Sequence, residues 1–266
     1  MNLRILRAGL IAIALATNLM AIDTTTNWEG FQRQDFVVAG RPALLISPRT
    51  PAPGQPWIWR TEFFGHEPQA DIALLQKGFH VAYIDLQNMY GAPPALAIMD
   101  EFYQHLQTSF QLAPKVVLEG FSRGGLFALN WAALHPGKVS SIYLDAPVCD
   151  FKSWPAGFGH GEGSPNDWLL CKQAYGLADD AAARSYSKNP IDQLEPLASS
   201  GVPILIVFGG ADTTVPPEEN ARAVEKKYQA LGGRIVLLEK PGVGHHPHSL
   251  PDPKPIVDFI LAHWSP

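Results

Sequence analysis

Short apolar runs alternate along this chain with longer stretches whose apolar residues recur every three or four positions. The first rhythm is that of buried strands, and the second that of helices with one covered face. FVVAGRPALLISP (36–48) reads as two short strands in an antiparallel lead-in, and the turn-rich PAPGQP (51–56) separates it from WIWR (57–60), a buried strand. A helix (71–78), a strand (79–85), a long helix (95–110), the central strand KVVLEG (115–120) and a helix over 122–135 follow, the last stopped by Pro136-Gly137. A strand over 140–147 comes next. After a break, two strands (203–210 and 234–240) and two helices (216–232 and 255–264) restore the alternation.

Strands alternating with helices predict an α/β fold with a mostly parallel, doubly wound sheet, because parallel neighbours need a crossover connection. Ligands in such sheets collect beyond the carboxyl ends of the strands. The break from 148 to 189 is rich in Gly, Pro, Trp and Ser, with a helical piece at 179–185; it is too long for an ordinary connection and reads as a lid or pocket wall.

With 266 residues and 46% hydrophobic content the chain can bury one large core, so one domain is expected over 22–266. A net charge of −5, with basic residues scattered rather than clustered, gives no sign of nucleic-acid binding. At the N-terminus, Arg4 and Arg7 precede an apolar run from Ala8 to Ala16, with a small residue at Ala21. That layout reads as a signal peptide over 1–21, and places the protein in a secreted or periplasmic setting; the alternative is an uncleaved anchoring helix, and no stable membrane span is expected after cleavage. Cys149 and Cys171 either form a disulfide, which an oxidising compartment permits, or remain two buried thiols.

Gly120-Phe121-Ser122-Arg123-Gly124 fits G-x-S-x-G between a predicted strand and a predicted helix, the context in which a serine is displayed on a sharp turn. A serine hydroxyl needs a base, and His245 follows the last predicted strand; Asp212 follows the strand before it. The order Ser, Asp, His, each after a separate strand, resembles the α/β-hydrolase superfamily over nearly the whole chain beyond the leader. That resemblance implies acyl transfer with Ser122 as nucleophile, His245 as proton carrier and Asp212 as its orienting acid. It also implies an oxyanion hole from the N–H of Arg123 and a second N–H on the loop after WIWR, where Glu62 stands between the further candidates Thr61 and Phe63.

Around this core, Arg60, Trp154 and His246 are candidate substrate-binding residues. Arg60 heads a polar cluster with Glu62, His66 and Glu67, and Trp154, Phe158, His160 and Trp168 bring aromatic and polar groups to the break, suited either to sugar rings or to a small core of the segment's own. The Arg123 guanidinium either binds a carboxylate or sugar hydroxyl, as in the similar elbow of glucuronoyl esterases, or pairs with Glu119, Asp145 or Asp150. His246 and His248 can hold their loop by hydrogen bonds, and the HHPH spacing matches no common zinc pattern, so neither metal nor cofactor is expected. The reading is an exported serine hydrolase of a small or polar ester, with an acylated or uronic carbohydrate as one candidate substrate. The alternatives are a peptidase similar to the prolyl-oligopeptidase hydrolase domain and an inactive binding protein.

Overall fold

Residues 116–118, 142–144 and 204–207 are apolar without a break because each sits on a strand covered on both faces. In the computed structural model, which describes residues 24–264, nine strands form one sheet: β1 (Thr24–Trp28), β2 (Phe31–Val38), β3 (Arg41–Ser47), β4 (Trp57–Arg60), β5 (His80–Ile84), β6 (Val116–Phe121), β7 (Val139–Asp145), β8 (Ile204–Gly209) and β9 (Ile235–Lys240). Their order is β1-β2-β3-β5-β4-β6-β7-β8-β9, antiparallel from β1 to β5 and parallel from β5 to β9.

Alternate side chains on these strands enter two separate cores. Trp57, Trp59, Val116, Leu118, Ile142 and Leu144 face one side with α2 (Pro93–Phe110), α3 (Gly124–Leu134), α6 (Glu195–Ser199) and α7 (Ala221–Ala230). Ile58, Val117, Tyr143, Leu205 and Val207 face the other, with α1 (Gln69–Gln76) and α8 (Lys254–His263). The period of two along each strand is what divides one apolar run between two layers.

The segment between β7 and β8 carries two further helices, α4 (Pro165–Tyr175) and α5 (Asp180–Ser185), and a small core of its own in which Phe151, Trp168, Cys171 and Ala183 pack against Tyr90, Leu126 and Val215. Helix α4 departs from the sequence expectation, which gave this stretch only a helix near α5. Only Trp168 and Cys171 of α4 are buried, too few to mark a helical period. β1 and the first half of β2 were also not anticipated, since an exposed edge strand such as TTTNW has no apolar alternation to read. Cys149 and Cys171 are both buried and free. Among the described residues no helix is long and apolar enough to cross a membrane. The leader expected over 1–21 lies outside the described residues.

At the carboxyl end of β4, Arg60 is 1% exposed, with Nη1 at 2.5 Å from Asp71 and 3.4 Å from Glu119. Burial, then the charge of Asp71, pushes the Glu119 carboxyl well above the usual carboxylate range, against the pull of Arg60. Asp71 Oδ1 and Glu119 Oε2 have no hydrogen-bond donor, in keeping with the raised pKa of Glu119 beside Asp71.

A carboxyl whose folded pKa is raised keeps a proton that the unfolded chain releases, so stability falls as pH rises from the unfolded to the folded value. Glu119→Gln fixes the neutral form. Urea unfolding at pH 5, 6.5 and 8 should therefore show the variant gaining on the wild type at each step; a gap that stays constant with pH would show that Glu119 is ionised in the fold.

Candidate active site

Ser122 follows β6 with φ of 48°, a left-handed conformation that a serine adopts at a cost of about 1–3 kcal/mol. Three backbone bonds hold it there: its N–H donates to the Asp145 carbonyl at 2.9 Å, and its carbonyl accepts from Gly125 at 3.0 Å and Val148 at 2.8 Å. The turn also needs bare backbone. A Cβ at position 120 would lie 2.8 Å from the Gly124 carbonyl oxygen, and one at 125 would lie 2.8 Å from Pro147 Cβ and the Val148 carbonyl oxygen. Strand, turn and helix can meet this closely only as glycines.

Asp212 and His245 leave the carboxyl ends of β8 and β9 and reach the same rim. Ser122 Oγ lies 3.0 Å from His245 Nε2, and His245 Nδ1 lies 2.7 Å from Asp212 Oδ2. The other Asp212 oxygen accepts from the N–H groups of Thr214 and Val215, both at 2.9 Å, which fixes the carboxylate. Asp212 is buried and Ser122 half-buried, so the line of groups runs from the interior to a wet edge.

Sequence reading did not single out Asp145 as a functional residue. At the end of β7, its carboxylate accepts from His248 Nδ1 at 3.0 Å and from the Ser249 N–H at 2.8 Å, while its carbonyl receives the Ser122 N–H. One buried residue thus ties the serine turn to the histidine loop. The only signal in the sequence is an acid closing an apolar strand, SSIYLD.

Arg60 is corrected from a substrate-binding candidate to an internal clamp. Its guanidinium lies beneath the loop after β4, where Nε donates to the Phe63 carbonyl at 3.1 Å, Nη2 donates to the His66 carbonyl, and the group covers the Phe121 ring at 4.2 Å. No face is left for a ligand. This loop rests on the start of α3: a Cβ at Gly124 would lie 3.1 Å from Thr61 Oγ1 and 3.7 Å from the Glu62 nitrogen.

The Thr61 N–H is used by the Glu119 carbonyl, and the Phe63 N–H faces the Glu62 carboxylate. Among the described residues the N–H groups of Glu62 and Arg123 donate to no protein acceptor. Of the four candidate N–H groups at Thr61, Glu62, Phe63 and Arg123, these two are the ones left without a protein acceptor.

The Arg123 side chain pairs with partners other than those expected, Glu62 at 3.3 Å and Asp167 of α4 at 3.4 Å, and lies over the rings of Phe63 and Tyr90. Burial pushes the Glu62 carboxyl up, with Arg123 opposing. Trp154 is half-buried with its ring centroid 6.5 Å from that of Tyr90. Trp168, by contrast, is buried in the small core and donates to Asp180. His246 is exposed and makes no hydrogen bond to Ser122; partial desolvation of its ring and the neighbouring His248, His245 and His66 lower its pKa.

A profile described as the Alpha/beta hydrolase family matches residues 47–259. A pimeloyl-[acyl-carrier protein] methyl ester esterase of Neisseria meningitidis serogroup B is 30% identical over 169 residues, 48% of this chain and 61% of that protein. The protein of the same name from Chromobacterium violaceum is 42% identical over 82 residues, 29% of this chain and 31% of its own length. The matched region thus spans less than two thirds of these relatives. Among solved structures, a Pyrococcus horikoshii acylaminoacyl peptidase superposes with a TM-score of 0.66 at 13% identity, over 88% of this chain and 42% of that one. An S-formylglutathione hydrolase from Agrobacterium tumefaciens gives 0.62 at 15% identity, over 92% and 97%. At such identities these likenesses show the fold alone.

Gly209 sets the approach of the last two loops, because a Cβ there would lie 2.0 Å from the Gly244 carbonyl oxygen and 2.4 Å from that of Val243. Gly209→Ala should cost about 1–3 kcal/mol in urea unfolding, whereas Gly137→Ala, with nothing within 4 Å, should stay within about 0.5 kcal/mol of wild type. Equal effects would mean that the loops do not pack as described.

Proposed function

The chain belongs to the alpha/beta hydrolase family, and we propose that it is a serine hydrolase cleaving a carboxylic ester with a small or polar leaving alcohol. The observation that carries this reading is the hydrogen-bonded line from Ser122 through His245 to Asp212, on a serine held at positive φ. Ser122 Oγ attacks the ester carbon as its proton passes to His245 Nε2, and Asp212 stabilises the imidazolium from the Nδ1 side. The carbonyl oxygen becomes an oxyanion beside the Arg123 and Glu62 N–H groups, donors of a kind each worth about 2.7–4 kcal/mol in such reactions. Collapse of the intermediate breaks the bond to the alcohol, which leaves with the proton from His245. Water, deprotonated by the same imidazole, then releases the acid and restores Ser122.

The size of the alcohol is supported by the esterase relatives, whose name specifies a methyl ester. It is also supported by the wall that α4 builds beside the nucleophile, where Asp167 accepts from Tyr90 at 2.7 Å and pairs with Arg123. Carbohydrate acyl groups remain a narrower form of the same proposal, resting on the half-buried Trp154. Export is proposed from Arg4, Arg7 and the apolar run after them.

Ser122→Ala should lower p-nitrophenyl acetate hydrolysis by at least about 10⁴-fold and abolish labelling by a fluorophosphonate, with the urea midpoint nearly unchanged. Wild-type turnover in that variant would remove Ser122 from the mechanism. Asp145→Asn should lower kcat/KM by about 10- to 100-fold while Ser122 stays labelled, because it loosens the tie between the two loops; an unaltered rate would show that the loops hold register without it.

A further inference from the structure

Three imidazoles that the hydrolytic mechanism does not use converge at the rim beside His245. His246 and His248 stand on the loop between β9 and α8, and His66 on the loop between β4 and α1. One ring nitrogen from each lies within 4.8 Å of the other two. The ring centroids are 4.7 Å apart for His246 and His248, 5.8 Å for His66 and His248, and 6.0 Å for His66 and His246. Among the described residues no hydrogen bond joins any two of the three. Their interplanar angles are 76°, 81° and 89°, so no pair is stacked.

We propose that His66, His246 and His248 form a binding site for a divalent transition-metal ion of the zinc class, and that its occupation suppresses the hydrolase. Imidazole nitrogens suit zinc, copper and nickel, and three of them leave a fourth tetrahedral position for water. Zinc–nitrogen bonds of about 2.0–2.1 Å set tetrahedral ligand atoms about 3.3 Å apart. Nitrogens at 4.8 Å or less therefore need to draw in by about 1.5 Å or less. His66 and His246 are exposed and can turn; His248 is buried and already anchored.

Its anchor is the second observation. His248 Nδ1 is 3.0 Å from Asp145 Oδ1, which leaves Nε2 as the nitrogen free to take a metal. A carboxylate behind a ligating histidine fixes the tautomer and raises the basicity of the other nitrogen, an arrangement that recurs around protein-bound zinc. The chain spacing conceals the site, because the third ligand is about 180 positions from the other two.

Suppression rests on the function proposed above. The His245 ring centroid is 5.0 Å from both His246 and His248. Drawing in His246 pulls on the backbone of the adjacent His245, whose Nε2 lies 3.0 Å from Ser122 Oγ and loses that alignment.

The test uses the untagged full chain with zinc chloride, by calorimetry and by p-nitrophenyl acetate hydrolysis. The wild type should bind one zinc per chain at micromolar concentration, His66→Gln should weaken that binding at least tenfold, and His160→Gln should leave it unchanged, its side chain being 95% exposed and paired with Glu219 instead. Saturating zinc should cut wild-type hydrolysis at least tenfold, EDTA should restore it, and His66→Gln should keep its own zinc-free rate over the same range. Zinc binding that His66→Gln does not weaken, or none below millimolar, overturns the site. Binding at the site without loss of rate overturns the suppression alone. Calorimetry reads the site even if the wild type hydrolyses nothing, so failure of the esterase reading is seen separately.

Discussion

A serine in a left-handed backbone conformation is the constraint on which the arrangement depends. β6 must stop, reverse its peptide plane and feed α3 within two residues, and no side chain fits at 120 or 125 while it does so. The strain is local, but what balances it is spread over the neighbouring elements. β7 supplies the carbonyl that takes the Ser122 N–H, and the chain just past β7 supplies the N–H that meets its carbonyl. A positioned, half-buried hydroxyl is therefore a property of two adjacent parallel strands and the helix between them, which is why such a serine sits at the carboxyl edge of a sheet.

Two buried ionic groups extend that control to the flanking loops. Arg60 sends its guanidinium under the β4–α1 loop and holds three carbonyls, and Asp145 holds the histidine loop from below. Ionic groups removed from water rarely add net stability over well-packed apolar ones, since desolvation offsets their attraction. Their value here is geometric: each has more hydrogen-bonding positions than any apolar side chain and uses them on backbone that carries no regular structure. The raised pKa of Glu119 favours its neutral form and so works against a surplus of negative charge in the first cluster.

The inner strands were legible as short unbroken apolar runs between turn signals, the flanking helices by their longer apolar stretches, and Ser122, Asp212 and His245 because each follows an apolar run with glycine beside it. What escaped depends on contacts between distant positions. Arg60 looks like a pocket residue in WIWR until Asp71 and Glu119 enclose it, and Asp145 looks like a strand end until His248 and Ser249 arrive from about a hundred residues away. Helix α4 was missed for a different reason, since only two of its residues are buried. No one-dimensional period records a partner on another loop.

The charge around Arg123 bears on which substrates the proposed ester hydrolysis would favour. A lone guanidinium next to Ser122 would attract an anionic substrate such as a uronate, by a bidentate contact with its carboxylate. Here the group already faces Glu62 and Asp167. With Glu62 ionised the three carry a net negative charge, and with Glu62 protonated, the direction in which burial pushes it, they are neutral. Neither state presents surplus positive charge. Under the proposed ester hydrolysis, selection would then rest on shape, on the half-buried rings of Phe63 and Trp154 rather than that of Tyr90, which is fully buried, and on neutral hydrogen bonds.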